Sequence, residues 1–398
     1  MARIVVSGAM VRHPVAGNLF AYFHYLLGLH RLGHQVAYVE EGGRPGSCYD
    51  PARQRRGDDP TAGLAAVRDL MARTGVSAPL FYVHRGTREV VGGRRSELRR
   101  VLGEADLLLN VGGASWLHDF RRCKRRVLID LDPLFTQVDA LRHQNLEDYA
   151  LHFTYGGNVG GDGCTVPTAG IDWHPTAPPV VVDLWEGEGH VGGDRSLRAP
   201  RPFTTVANWT ADGTIEHGGE TYGQKDEEFV RFVDLPGRVE APLEVAVSGA
   251  GEVNWHRMRA AGWSLVDGHT VSLDMDTYKR YIRGSRGELS VAKNAYVKTR
   301  SGWFGDRSVC YLAAGRPTLL QDTGFNDWLG ATRGALAFST LDEAAGCVQR
   351  VLADYERHSA GARHLAHTIF AHDVVLPRLL ARALPSRTTV SMPWQRRS

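Results

Sequence analysis

The chain has 398 residues, 43% of them apolar and 23% charged, a composition that suits a soluble globular protein of two or three domains. A formal net charge of +3 with both signs interspersed leaves no electrostatic footprint for nucleic acid, and no apolar run approaches the ~18 residues of a membrane span. The five cysteines, Cys48, Cys123, Cys164, Cys310 and Cys347, lack metal-ligand spacing and suit a reducing cytosol better than a disulfide framework.

Met-Ala-Arg runs straight into a strand at 4–6, so no signal peptide is expected and the expected location is the cytoplasm. After a loop at 7–17, Leu19, Tyr22, Phe23, Leu26, Leu27 and His30 repeat at helical spacing. Gly33 is placed to end that helix before a strand at 36–39. This is the right-handed βαβ opening of an open parallel sheet. No Gly-x-Gly-x-x-Gly follows the first strand, which removes the main support for an NAD-type fold. Strands at 80–83, 106–111 and 127–131, with helices at 64–71 and 97–102, continue the alternation to residue 151. The basic run at 121–126 reads as a solvated face rather than a polyanion site.

Residues 156–202 are rich in Gly and Pro, with a strand-like segment at 180–184 and a polar run at 186–198. A second alternation opens at 203–207 and runs through helix 227–233, strand 243–247, helix 253–260, strand 264–266 and strands at 287–292 and 317–320. Thr340 and Glu343 form a capping box ahead of an amphipathic helix through Ala344, Val348 and Val351. A last apolar helix is expected at 374–384 and a loose tail at 386–398. The expected division is an N-terminal Rossmann-like domain at 1–185, a linker at 186–202, a C-terminal Rossmann-like domain at 203–373 and a closing helix with tail at 374–398. Only five of the 47 basic residues are lysine, a skew associated with GC-rich bacterial genes.

The segment from Ser301 to Pro317 reads as a glycine-bearing loop, a short helix stopped by Gly315 and a buried strand that empties into a polar loop at 321–326. Free backbone N–H groups and the helix dipole favour an anion there. The pattern resembles the C-terminal half of GT-B glycosyltransferases, where Phe-Gly, a helix ending in Ala-x-Gly-Arg/Lys-Pro and a Gly-bearing loop hold the nucleotide sugar. Asn208-Trp209 and Tyr222-Gly-Gln-Lys225 resemble the family's donor-phosphate loop with its lysine. The segments 276–282 and 288–293, the latter ending in Lys293, resemble the helix and strand that lead into the diphosphate loop. Ile129-Asp-Leu-Asp-Pro133 and Thr168-Ala-Gly-Ile-Asp-Trp173 resemble segments of a bacterial branch that modifies small molecules.

The resemblance implies an α/β fold of two Rossmann-like αβα domains facing across a cleft, with a final helix that crosses back to the N-terminal domain. It also implies a nucleotide-diphosphate sugar as co-substrate and no further cofactor, a small-molecule acceptor of natural-product type, and metal-independent transfer. A homodimer is one assembly open to the chain. One departure bears on stereochemistry. Retaining members often carry two glutamates flanking the phosphate loop, and the matching positions here are Gly302 and Cys310. That shifts the expectation slightly toward inversion. A nucleotide-sugar 2-epimerase-like enzyme and a non-catalytic sugar-nucleotide-binding partner protein are the alternatives.

The donor-binding candidates are Asn208, Trp209, Lys225, Lys293, Gly305, Asp306, Arg307, Ser308, Asp322 and Thr323. Asp306 is placed to N-cap the helix, with Arg307 and Ser308 turned to a bound anion, although capping alone also explains the loop. Arg307→Ala is then expected to weaken nucleotide binding without unfolding the protein. Asp322 and Thr323 serve either sugar hydroxyls or an Asp-Thr-Gly turn. The candidate base is His13, in the loop after the first strand, where inverting GT-B enzymes frequently place a histidine; an imidazole pKa of ~6.5 suits it to the task. A solvated loop histidine held by Pro14 is the competing reading. Asp119 and Asp132 are the alternative bases, or orient His13. Asp130-Leu-Asp132 is formally a D-x-D motif, but loop structure or acceptor contact fits it better, and no metal site is expected.

Overall fold

The structure, a computed structural model, describes residues 1–138, 146–186, 201–209, 213–248 and 255–384. Two large sheets organise it. The first runs Trp173–Pro175, Leu151–Thr154, Arg126–Asp130, Leu107–Val111, Arg3–Ser7, Gln35–Glu41, Leu80–Val83 and Val90–Val91, parallel throughout except for the last pair. Side chains alternate along each strand. Ile4, Val6, Leu107 and Leu109 therefore meet helices Ala16–Arg31 and Thr61–Thr74, while Val5, Phe81 and Leu108 meet helix Arg95–Glu104. The second sheet runs Ser264–Asp267, Leu243–Ser248, Phe203–Asn208, Gly287–Ser290, Thr318–Gln321 and Ala335–Phe338, all parallel.

In each sheet the first strand in sequence lies inside, with the next strand on one side and a later one on the other. Chain direction across the sheet reverses there, and the loops leaving the carboxyl ends part to form a crevice. His13 follows Arg3–Ser7, and Lys225 and Lys293 follow Phe203–Asn208 and Gly287–Ser290.

Helix His372–Ala383 packs on helix Ala16–Arg31, and Leu376, Leu379, Leu380 and Ala383 join the core of the first sheet. Gly28 permits that approach: a Cβ there would lie 2.7 Å from Leu376 and 2.8 Å from His372. A neighbouring side of the first helix, through Ala16 and Phe20, is buried with Tyr278 and Val309 of the second half. Helix Ala16–Arg31 is thus covered on most of its circumference instead of on one face, because both halves of the chain close over it.

Several elements differ from the sequence expectation. Trp173–Pro175 adds an edge strand to the first sheet, so the Gly- and Pro-rich stretch is not all connection. The strand-like segment at 180–184 is a 3₁₀ turn, Val182–Leu184, with a single bridge from Val180 to Ala371. Trp185 there is drawn into the core beneath Phe20, which a free strand would not allow. Helix 227–233 is helix Lys225–Phe229 continued by a 3₁₀ turn, Val230–Phe232. Of the expected linker at 186–202, residues 187–200 lie outside the described residues, as do 253–254 of a predicted helix and the tail at 386–398.

Candidate active site

The N-terminal wall of the cleft is fastened by two acids. Glu40 is fully buried at the end of strand Gln35–Glu41. Its carboxylate accepts the N–H groups of Val11 and Arg12, both at 2.8 Å, the Tyr38 hydroxyl at 2.7 Å and Arg12 Nε at 3.2 Å. Burial raises its pKa against these stabilising partners. Glu41 accepts Trp116 N–H at 2.9 Å and Arg88 at 3.2 Å. The loops after Arg3–Ser7 and Leu107–Val111 are therefore held at the crevice by one strand. The sequence reading missed this pair; consecutive acids closing an apolar strand were the available signal.

His13 emerges half-buried from the first of these loops. Burial, with Arg56 and Arg12 nearby, pushes its imidazole down to about 4, so the ring is neutral at pH 7 but a weaker base than the ~6.5 imidazole expected from the sequence. Among the described residues no carboxylate hydrogen-bonds the ring, so the orienting acid is not found. Asp119 sits elsewhere, on the outer face of the first sheet, with Arg122 at 3.1 Å, Arg95 at 3.4 Å and Arg99 at 3.6 Å. Three arginines neutralise it, which argues against its role as a base.

The D-x-D motif separates its two acids. Asp130 is buried and holds its own loop, accepting Asp132 N–H at 2.9 Å, Gln137 at 2.9 Å and Thr154 at 2.6 Å. Asp132 points into the cleft and meets the other half of the molecule. Lys293 Nζ donates to its Oδ1 at 2.9 Å, and the Tyr296 hydroxyl donates to the same oxygen. Enclosure alone would raise the Asp132 pKa, but Lys293, Tyr296 and Lys225 outweigh it and hold the carboxyl below its usual range. Lys293 also lies 4.5 Å from the Phe135 ring centroid and 5.4 Å from that of Tyr296. Trp303 completes the wall, stacked near Tyr296 and donating to Leu131 O at 3.0 Å. Tyr296 was not a sequence candidate, although its spacing of three from Lys293 places both on one side of helix Asn294–Lys298.

Lys225 is the most unusual residue in the cleft. It is 8% exposed, at the start of helix Lys225–Phe229, and makes no hydrogen bond or ion pair with a described residue. Burial, then Arg307 and Lys293, depress its pKa strongly, more than Glu288 and Asp306 restore. A buried cation flanked by cations is a site for an anion.

Helix Asp306–Ala313 points at the same place and stops before Gly315, whose φ of +69° ends it. Here the structure corrects two expectations. Gly305 occupies the N-cap with no side chain to cap with, and Asp306 stands one position later, accepting Arg307 N–H at 2.9 Å. Burial, then Asp132 across the cleft, raises the Asp306 pKa against Arg307. The helix amides are left open to a ligand, with one of them engaged. Arg307, expected to face the anion, instead ties strands together. It donates to Glu288 Oε1, Val206 O and Ser290 Oγ, each at 2.6 Å. Glu288 is buried, and among the described residues Arg307 is its one hydrogen-bonded side-chain partner, with Oε2 unsatisfied. Arg307→Ala should therefore destabilise the fold by about 3–5 kcal/mol, by stranding the Glu288 charge. Arg307→Ala combined with Glu288→Gln should recover part of that loss in urea unfolding; no recovery would mean Arg307 acts elsewhere.

Of the remaining candidates, Ser308 is buried beside Gly305 at the helix start. Thr323 is buried and donates to Trp303 O at 2.7 Å, while its carbonyl accepts Gly302 N–H, so it supports the loop at 302–303. Asp322 accepts Gly324 N–H at 2.8 Å, the turn that competed with sugar binding. Asn208 is exposed at a strand end, but Trp209 is core, packed on Phe229 and Trp255. Cys310 is buried and bonds Asp306 O, offering nothing to a ribose. Among the described residues no group of three or more His, Cys, Asp or Glu could hold a metal ion, and no helix is long and apolar enough to cross a membrane.

No family model matches the chain, and no curated protein matches it by sequence. Solved structures do. An alpha-glucosyltransferase (AGT) in complex with UDP aligns with TM-score 0.57 and 9% identity over 96% of this chain and 100% of that one. Anabaena Alr3699/HepE in complex with UDP-glucose gives 0.56 and 10% over 96% and 99%. AviGT4, a glycosyltransferase involved in avilamycin A biosynthesis, gives 0.55 and 12% over 96% and 97%. The architecture is the GT-B fold, two Rossmann-like domains facing across a cleft.

Proposed function

We propose that this chain is a glycosyltransferase that moves a sugar from a nucleotide-diphosphate donor to a small-molecule acceptor. The carrying observation is Lys225, a buried lysine whose side chain has no hydrogen-bond or ion-pair partner among the described residues and which lies near Arg307, Lys293 and an uncapped helix N-terminus. Transfer breaks the bond from the sugar's anomeric carbon to the diphosphate, and negative charge grows on the departing oxygen. Lys225, Lys293 and the open helix amides would meet that charge in an environment largely shielded from water, where it counts most. Shared fold with proteins described as bound to UDP or UDP-glucose supports the donor class.

The acceptor hydroxyl must lose a proton as it attacks, and His13 is proposed to take it. Its ring is neutral at pH 7, and its loop, fastened to Glu40, belongs to the N-terminal wall. Attack from that wall, with the leaving group held on the other, gives inversion. Lysines and helix amides supply the charge stabilisation, so the proposed transfer is metal-independent, and the setting proposed is cytoplasmic. His13→Ala should lower turnover by ~10²–10⁴-fold with nucleotide affinity unchanged. Because only the neutral ring accepts a proton, the acid limb of the rate profile should fall near 4; near-normal turnover in the variant would remove His13 from catalysis.

A thermal-shift series with UDP, TDP and GDP tests the donor site, since a ligand of the folded state raises its stability. Silence across all three would overturn the reading. Product analysis then separates transfer from isomerisation of the sugar and from binding without turnover.

A further inference from the structure

We propose that the cavity at the carboxyl ends of strands Gln35–Glu41 and Leu80–Val83 receives the acceptor, and that it selects a small molecule bearing a carboxylate or phosphate. That the occupant is an acceptor rests on the sugar-transfer reading. The cavity measures about 540 Å³, inside the ~300–1,000 Å³ range of small-molecule sites. Tyr82 forms its floor, with the His84 ring edge-on at 5.1 Å between centroids. The floor is fixed: the Tyr82 hydroxyl lies 3.2 Å from Cys48 Sγ, and Gly42 N–H donates to Val83 O at 2.8 Å.

The lining charges are unbalanced. Arg44 and Arg85, both exposed, line the cavity, and neither guanidinium hydrogen-bonds or ion-pairs with a described residue. Asp58 is the one carboxylate among the lining residues, and its Oδ1 already accepts Gly46 N–H at 2.7 Å. Two guanidiniums without internal partners fit planar oxyanions, which they bind through paired N–H groups. The aromatic floor suits an apolar or aromatic body attached to the acid.

The cavity borders the loop that carries His13. A Cβ on Gly43, one of the lining residues, would lie 3.1 Å from Arg12 Nη1, and His13 is the next residue of that loop. An acceptor held by its acid at Arg44 and Arg85 would extend past Arg12 toward His13 and the donor.

The test is an NMR titration of the full chain with 4-hydroxybenzoate and phenyl phosphate, against the neutral partners 4-hydroxybenzamide and phenol, at about 50 mM salt. The acids should bind about ten-fold more tightly than their neutral partners. Arg44→Gln with Arg85→Gln should remove that preference, while Arg257→Gln with Arg259→Gln, on a distant helix, should leave it intact. Equal affinity for acid and neutral probes overturns the inference. So does a preference that survives the first pair of substitutions, or one lost equally with the second. Failure of the sugar-transfer reading would appear separately, as absent binding of UDP, TDP and GDP to the unaltered protein.

Discussion

Replacing Lys225 with methionine should weaken nucleotide-diphosphate binding by ~10–150-fold and raise the melting temperature of the ligand-free protein. The two effects share one cause. An ammonium that is 8% exposed and has no hydrogen-bonded anion among the described residues costs the folded state desolvation that Glu288 and Asp306 only partly offset. Methionine keeps the length of the side chain and buries without that cost, for a gain of about 1 kcal/mol or ~2–4 °C. The bound diphosphate would lose a charge-assisted contact of about 1.5–3 kcal/mol, or ~10–150-fold in affinity. Turnover, which depends on charge growing on the leaving group, should fall further, by ~10²–10³-fold.

The pH dependence has a definite sign. The folded pKa of Lys225 lies below that of the unfolded chain, so the unfolded state binds the extra proton between the two values and stability rises with pH there. The penalty is complete below the folded pKa and is gone above ~10.4. The stability gap between variant and wild type should therefore close as pH rises from the depressed folded pKa toward ~10.4. A variant that melts lower than wild type and still binds nucleotide would assign Lys225 to packing.

What the sequence disclosed follows from how local each feature is. The alternation of apolar strands and amphipathic helices is written within a few residues, so both sheets and the helix stopped by Gly315 were legible, as was Lys225 from the short segment Tyr222-Gly-Gln-Lys225. Arg307 was misread because its partner lies on a different strand. Only the sheet order, which sets Gly287–Ser290 beside Phe203–Asn208, brings Glu288 and Val206 O to one guanidinium. Trp209 is a donor-binding candidate from its place after a strand end, yet Phe229 and Trp255, both later in the chain, draw it into the core. Asp132 and Lys293 belong to different sheets, and no spacing rule connects them.

Asp132→Asn is expected to slow transfer by ~10²-fold while tightening nucleotide binding about five-fold. In the ligand-free structure the carboxylate holds Lys293 at 2.9 Å and also receives the Tyr296 hydroxyl. A diphosphate must share that ammonium with Asp132. Asparagine keeps an acceptor for Tyr296 but removes the competing charge, so Lys293 answers to the ligand more fully. Turnover falls because the cleft loses an anion that fixes Lys293 and Tyr296 against the N-terminal wall, where the acceptor is proposed to sit. The carboxyl is held below its usual range, so its contribution to stability is present above ~3.9 and disappears as pH falls through the depressed folded value. The gap in stability between wild type and variant should therefore close in acid, the reverse of the alkaline closure expected for Lys225. Measured together, the two slopes distinguish an anion that bridges the domains from a cation waiting for its ligand. If Asp132→Asn binds nucleotide no tighter and turns over normally, the bridge is only a fastening between the domains.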